Sequence, residues 1–181
     1  MYLDRRRSLS KSAVDQLSEQ ISEQFFSVIH LVDIHMLHVF LPIEQNNEPD
    51  TWKIIHRLRL EHPGIKIVVP KVLPKGALSH HELDYGPLRT SGWGIPEPSE
   101  GNEVLPGQID LVIVPLVVAD KQGHRVGYGK GYYDRFLSEC RADCIKVGLS
   151  LFPLVNTIPG VEVHDHRLNL VITPEAVIAC S

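Results

Sequence analysis

Ile109-Asp110-Leu111-Val112-Ile113-Val114-Pro115-Leu116-Val117-Val118 decides the fold, because its apolar residues run almost without interruption instead of alternating with polar ones. A strand with one wetted face shows a period of two, whereas a strand covered on both faces does not. A β-branched apolar run of this kind is therefore expected to form the central strand between two layers of helices. Outward from it, shorter apolar runs at 36–41, closed by Pro42, at 65–69, at 145–151 and at 170–173 read as further strands. Helical spacing lies between them. Val14, Leu17, Ile21, Phe25 and Val28 form a stripe behind a Ser12 cap with Asp15 in the first turn. Trp52, Ile54, Ile55 and Leu58 follow a start at Asp50 or Thr51 and stop at His62-Pro63-Gly64, and a third helix is expected over 132–140. Residues 70–107 are rich in Pro, Gly and polar side chains and read as loop or short hairpin, with a weak strand around 80–83. Strands alternating with helices predict an α/β fold: a layered αβα domain with a mainly parallel central sheet and Rossmann-like topology.

The 181 residues are 43% hydrophobic, enough for one substantial core, and no Ser/Gly-rich linker, internal repeat or low-complexity tract divides them. A single domain over 1–181 is expected. A formal charge of −4 and a pI near 6.2 offer no global attraction to nucleic acid or to an anionic membrane. No apolar run approaches the roughly 18 residues of a membrane span, and the start Met-Tyr-Leu-Asp-Arg-Arg-Arg leads into polar sequence. The expectation is a cytoplasmic protein with small-molecule partners, monomeric or weakly homo-oligomeric. Cys140, Cys144 and Cys180 are too few and too irregular for a disulfide framework or a zinc site.

Just beyond the central strand stands Gly127-Tyr128-Gly129-Lys130-Gly131-Tyr132-Tyr133-Asp134. Alternate glycines leave backbone N–H groups uncovered and permit positive φ, Lys130 adds a cationic donor, and a helix beginning at Tyr132 favours negative charge at its N-terminus. An anion cradle is the natural reading, and in parallel sheets ligands bind beyond the carboxyl ends of strands. The spacing is not that of a Walker loop, because Gly131 follows Lys130, nor of a dinucleotide fingerprint. Spacing alone leaves the loop unassigned. His80-His81-Glu82 does not read as a metal site, since adjacent strand residues point to opposite faces.

The longer string D-L-V-I-V-P-L-V-V-A-D-K-Q-G-H-R-V-G-Y-G-K-G-Y-Y-D-R-F-L at 110–137 closely resembles the signature of the 5-formyltetrahydrofolate cyclo-ligase family. The resemblance extends to S-G-W-G-I-P-E-P at 91–98, E-P-D-T at 48–51, I-V-V-P-K-V at 67–72 and H-D at 164–165, nearly the whole chain in family order. It implies conversion of 5-formyltetrahydrofolate and ATP into 5,10-methenyltetrahydrofolate, ADP and phosphate, with Mg²⁺. By resemblance, Arg125, Val126, Gly127, Tyr128, Gly129, Lys130, Gly131, Tyr132 and Tyr133 enclose the ATP phosphates, and Lys130, Arg125 and Tyr132 carry the catalysis. Tyr128, Gly129, Lys130, Gly131 and Tyr132 also face the folate, together with Leu41, Glu48 and Trp93. The resemblance selects Glu48 over Glu44 when E-P-D-T is kept together. Asp134 and Asp165 are its implied Mg²⁺ ligands.

Two departures stand out. Family members carry an N-terminal Lys and Arg that contact ATP, and Arg5, Arg6 and Arg7 fall farther along that segment and do not inherit the role. The alternative is therefore a folate-binding protein with impaired ATP use. Asn169 stands where the family often has an acidic residue, which leaves Asp165 as the expected metal ligand. A sugar-phosphate isomerase or acyl-transfer relative would account for the glycine loop but not for Trp93, Glu48 and the Tyr pair together.

Overall fold

The central apolar run joins the main sheet only over Leu111–Val114, where all four residues are buried. Pro115 offers no N–H to a ladder, and beyond it Val118–Ala119 pairs with Arg125–Val126 in a separate two-stranded ribbon. The structure, a computed structural model, describes residues 1–92, 94, 96–99, 101–162 and 165–180. Along the chain the elements are α1 (Tyr2–Arg7), α2 (Lys11–Val28), β1 (Met36–Val39), α3 (Trp52–Glu61), β2 (Lys66–Val72), β3 (Leu78–Glu82), β4 (Leu88–Thr90), β5 (Pro96–Pro98), β6 (Leu111–Val114), β7 (Val118–Ala119), β8 (Arg125–Val126), α4 (Tyr132–Glu139), β9 (Ile145–Leu149), β10 (Leu170–Ile172) and β11 (Val177–Ala179).

Among the described residues, seven strands share one sheet in the order β11-β10-β9-β6-β1-β2-β3. The pairs β10/β9, β9/β6, β6/β1 and β1/β2 are parallel, and only the edge strands β11 and β3 run against their neighbours. Alternation along each strand divides the core. Leu37 and Val39 of β1 and Leu111 and Ile113 of β6 face α2 and α3, where Ile21, Phe25, Ile55 and Leu58 meet them. Val112 and Val114 face the other way, toward Phe136 and Leu137 of α4. Both faces are covered, which is why β6 carries no polar alternation. This is the αβα layering expected of the sequence.

Element limits differ from expectation where local chemistry decides them. Ser10, not Ser12, caps α2, its Oγ accepting the Ala13 N–H at 3.1 Å, so Asp15 falls beyond the first turn. The weak strand expected near 80–83 begins at Leu78 and closes the sheet edge against β2. The short helix α1 and the edge strand β11 have too few residues to show a period.

From β1 the chain moves outward to β2, and from β6 it moves the opposite way to β9, so the carboxyl ends of β1 and β6 flank a topological switch point. The crevice there is the usual place for a ligand in such sheets. Among the described residues, no helix is long and apolar enough to cross a membrane.

Candidate active site

The crevice opens into a cleft of about 680 Å³. Phe40, Leu41, Ile43 and Glu48 reach it from the loop after β1, Pro115 from the end of β6, and Ile158, Pro159, Gly160, Val161 and Asp165 from the opposite wall. Every residue from Arg125 to Asp134 lines it as well. The structure thus brings together Leu41, Glu48, the whole glycine loop, Asp134 and Asp165, which come from three distant parts of the sequence. Trp93 and His164 lie outside the described residues. Glu44 is exposed and does not line the cleft, whereas Glu48 is 4% exposed and does.

Gly129 and Gly131 have φ of 71° and 66°, the left-handed region that favours glycine; Gly127 does not. Gly131 is the N-cap of α4, so Tyr132, Tyr133 and Asp134 form the first turn of a helix whose positive end meets the cleft. Lys130 is exposed. Arg125, expected as a cationic donor, is held between two walls: Nη1 donates to the His166 carbonyl at 2.6 Å, and Nη2 donates to Asp134 Oδ1 at 2.7 Å. With its side chain only 6% exposed, Arg125 is a fixed charge and not a loose surface cation. Asp165 Oδ2 accepts the Glu162 N–H at 2.8 Å.

Glu48 is clamped from two sides. Its Oε2 accepts the Ile43 N–H at 2.7 Å, and its Oε1 accepts the Tyr128 hydroxyl proton at 2.5 Å. Burial pushes its pKa up, while the Ile43 amide, the Tyr128 hydroxyl and the Arg6 guanidinium oppose the shift.

The family profile of the 5-formyltetrahydrofolate cyclo-ligases matches residues 2–174. The chain belongs to that family. It is 30% identical over 192 residues to the 5-formyltetrahydrofolate cyclo-ligase of Escherichia coli K12, covering 98% of both chains. It is 40% identical over 149 residues to the cyclo-ligase of Haemophilus influenzae, covering 80% of this chain and 79% of that one. The NMR structure of Aquifex aeolicus 5,10-methenyltetrahydrofolate synthetase superposes with a TM-score of 0.83 at 28% identity, over 98% of this chain and 88% of the other. Membership makes the chain an enzyme, a ligase of folate one-carbon metabolism.

Within this cyclo-ligase, sequence reasoning passed over two arginines. Arg6 is 3% exposed and donates through Nε to the Asn46 carbonyl, through Nη1 to the Leu116 carbonyl and through Nη2 to the Tyr128 hydroxyl. Arg7 lines the cleft, with Nε and Nη2 donating to Asn46 Oδ1 at 3.0 and 2.7 Å. Nothing in a basic run of three distinguishes a buried member from a solvated one. Glu97, 8% exposed, also lines the cleft and accepts a long 3.4 Å bond from the Val72 N–H. Asn169 has a structural place: Oδ1 accepts the Lys146 N–H at 2.8 Å, pinning the start of β10 to β9.

Proposed function

We propose that this cleft converts 5-formyltetrahydrofolate and ATP into 5,10-methenyltetrahydrofolate, ADP and phosphate. The observation that carries the reading is one continuous cleft in which a buried, hydrogen-bonded carboxylate faces a glycine loop with two cations. A carboxylate accepts the paired N–H donors of a pterin ring, and the backbone of the loop with Lys130 and Arg125 suits phosphates. The two ligands then meet at Tyr128 to Tyr132.

A formyl oxygen is a poor leaving group. In the proposed route it attacks the γ-phosphorus, the bond to the bridging oxygen breaks, and ADP departs with that electron pair. N10 then attacks the phosphorylated formyl carbon, closing the ring; the N10 proton passes to the departing phosphate, which leaves with the C–O electron pair. No protein nucleophile is needed. Lys130 and Arg125 stabilise charge on the transferred group, Tyr132 positions it, and the walls hold the two substrates in line.

Asp134 and Asp165 would hold Mg²⁺. They are two hard oxygen donors in one cleft, and such a sparse set suits an ion that keeps waters and phosphate oxygens in its shell. When bound, the ion neutralises phosphate charge. Arg125 already fixes Asp134 in place through the 2.7 Å ion pair.

The test is the absorbance increase of methenyltetrahydrofolate formed from 5-formyltetrahydrofolate on addition of Mg·ATP. Absence of turnover at saturating ATP would overturn the reading. Calorimetry showing folate binding unaffected by nucleotide would instead identify a folate-binding protein.

A further inference from the structure

We propose that Arg6 is a positioning residue for folate recognition: through the Tyr128 hydroxyl it fixes the Glu48 carboxylate on the wall of the cleft. The inference rests on the reading of Glu48 as the pterin-binding carboxylate.

A cation buried to 3% exposure needs partners for its donors. Two sets go to main-chain carbonyls, Asn46 at 2.7 Å and Leu116 at 2.8 Å, and they hold the guanidinium still. Anchoring α1 would require no more. The third set, on Nη2, is directed at the Tyr128 hydroxyl, and Nη2 itself stands 3.9 Å from Glu48 Oε1. An N–H donated to a hydroxyl oxygen commits that hydroxyl to donate its own proton elsewhere, and here it goes to Glu48 Oε1 at 2.5 Å. With Oε2 held by the Ile43 N–H, the carboxylate cannot rotate, and its remaining acceptor capacity is left to the cleft it lines. One residue of the N-terminal helix thus sets the orientation of a group 42 positions away by way of a third 122 positions away.

Arg6 also supplies the positive charge that opposes the effect of burial on Glu48. The other groups facing Glu48 are Tyr128 from the glycine loop and Tyr133 from α4. Burial first, and Glu48 second, hold both phenols above their ordinary value, so neither carries charge near neutral pH.

The experiment compares Arg6→Met, Arg6→Lys, Tyr128→Phe and Glu48→Gln by steady-state kinetics across pH 5.5 to 8. Arg6→Met is expected to raise the folate KM by roughly tenfold, the scale of a charge-assisted hydrogen bond, while kcat and the ATP KM stay within about twofold. In the wild type, protonation of Glu48 raises the folate KM on the acid side; without Arg6 that rise begins about one pH unit higher. Arg6→Lys, which keeps the charge, returns the acid limb toward the wild-type position, and Glu48→Gln has none. A merely structural role would lower the active fraction, and so kcat, without moving the limb. Where Arg6→Met does not fold, Tyr128→Phe decides, since it severs the same link and leaves the anchor. If Glu48→Gln raises the folate KM while Arg6→Met and Tyr128→Phe leave the KM and its limb unchanged, the proposal is overturned and the site reading stands. If Glu48→Gln leaves the folate KM unchanged, the pterin role of Glu48 falls, and the proposal with it.

Discussion

Arg125 in β8 and Lys130 in the loop that follows stand five residues apart, yet their surroundings differ. Arg125 is bound to Asp134 and to the His166 carbonyl, while Lys130 is exposed at the cleft. Removal of either therefore has a different signature. Lys130→Ala is expected to raise the ATP KM by roughly tenfold and to leave the Mg²⁺ requirement nearly unchanged, because it deletes a donor and disturbs no carboxylate. Asp134→Asn is expected to raise the Mg²⁺ concentration for half-maximal rate by at least about tenfold. It also turns the Arg125 ion pair into a neutral hydrogen bond and so loosens the hold on that cation, and the ATP KM is expected to rise with it. Titrating each variant with Mg²⁺ at fixed ATP, then with ATP at fixed Mg²⁺, separates the two, and identical behaviour of both would remove the distinction. The sequence made these residues candidates because cations, glycines and a carboxylate crowd into one short run. Arg6 was illegible, since its partners Asn46, Leu116 and Tyr128 lie far along the chain and its own neighbours are more arginines.

At the scale of elements, the parallel strands were readable because burial on both faces demands apolar residues at every position. The same rule overran the end of β6. It sees Leu116, Val117 and Val118 as more of the same, although Pro115 stops the ladder and the chain turns into the β7/β8 ribbon that carries Arg125. The loop between β8 and α4 shows a comparable split between pattern and geometry. Three alternating glycines look equivalent, but Gly131 has positive φ and a Cβ there would meet Arg135 Nη1 at 3.0 Å, whereas Gly127 has open space around it and ordinary φ. Gly131→Ala is thus expected to cost about 1 kcal/mol of stability, and Gly127→Ala no more than about 0.5 kcal/mol. Urea unfolding midpoints check this directly, and equal costs would mean that the glycine pattern, not the α4 cap, sets the loop.

For the molecule as a whole, the least expected feature is a histidine at the centre of the sheet. His38 of β1 was counted within an apolar run, and it is indeed fully buried, packed 4.7 Å from the Phe136 ring and 5.1 Å from His80. Neither of its ring nitrogens has a hydrogen-bond partner among the described residues, and the same holds for His80 Nδ1. Burial holds the His38 pKa well below its ordinary value and pushes His80 down to about 4, with His81 adding to the latter shift. Above the ordinary histidine value of about 6.5 both states are neutral and nothing is lost. As pH falls below it, the unfolded chain takes up protons that the folded one refuses, so stability declines by up to about 1.4 kcal/mol per pH unit for each such histidine, until the folded value is reached. For His80 that window runs from the ordinary value down to about 4. Glu48, whose pKa is raised by burial, acts with the opposite sign and softens the decline. His38→Leu removes two unpartnered polar atoms from an apolar layer, so it is expected to stabilise the protein by about 1 kcal/mol at pH 7. The gain should grow at pH 5, because one of the two refusing histidines is gone. Unfolding midpoints of wild type and variant at the two pH values decide it. A variant less stable at pH 7, or a stability difference that does not widen on acidification, would show that His38 has partners in solution that offset its burial.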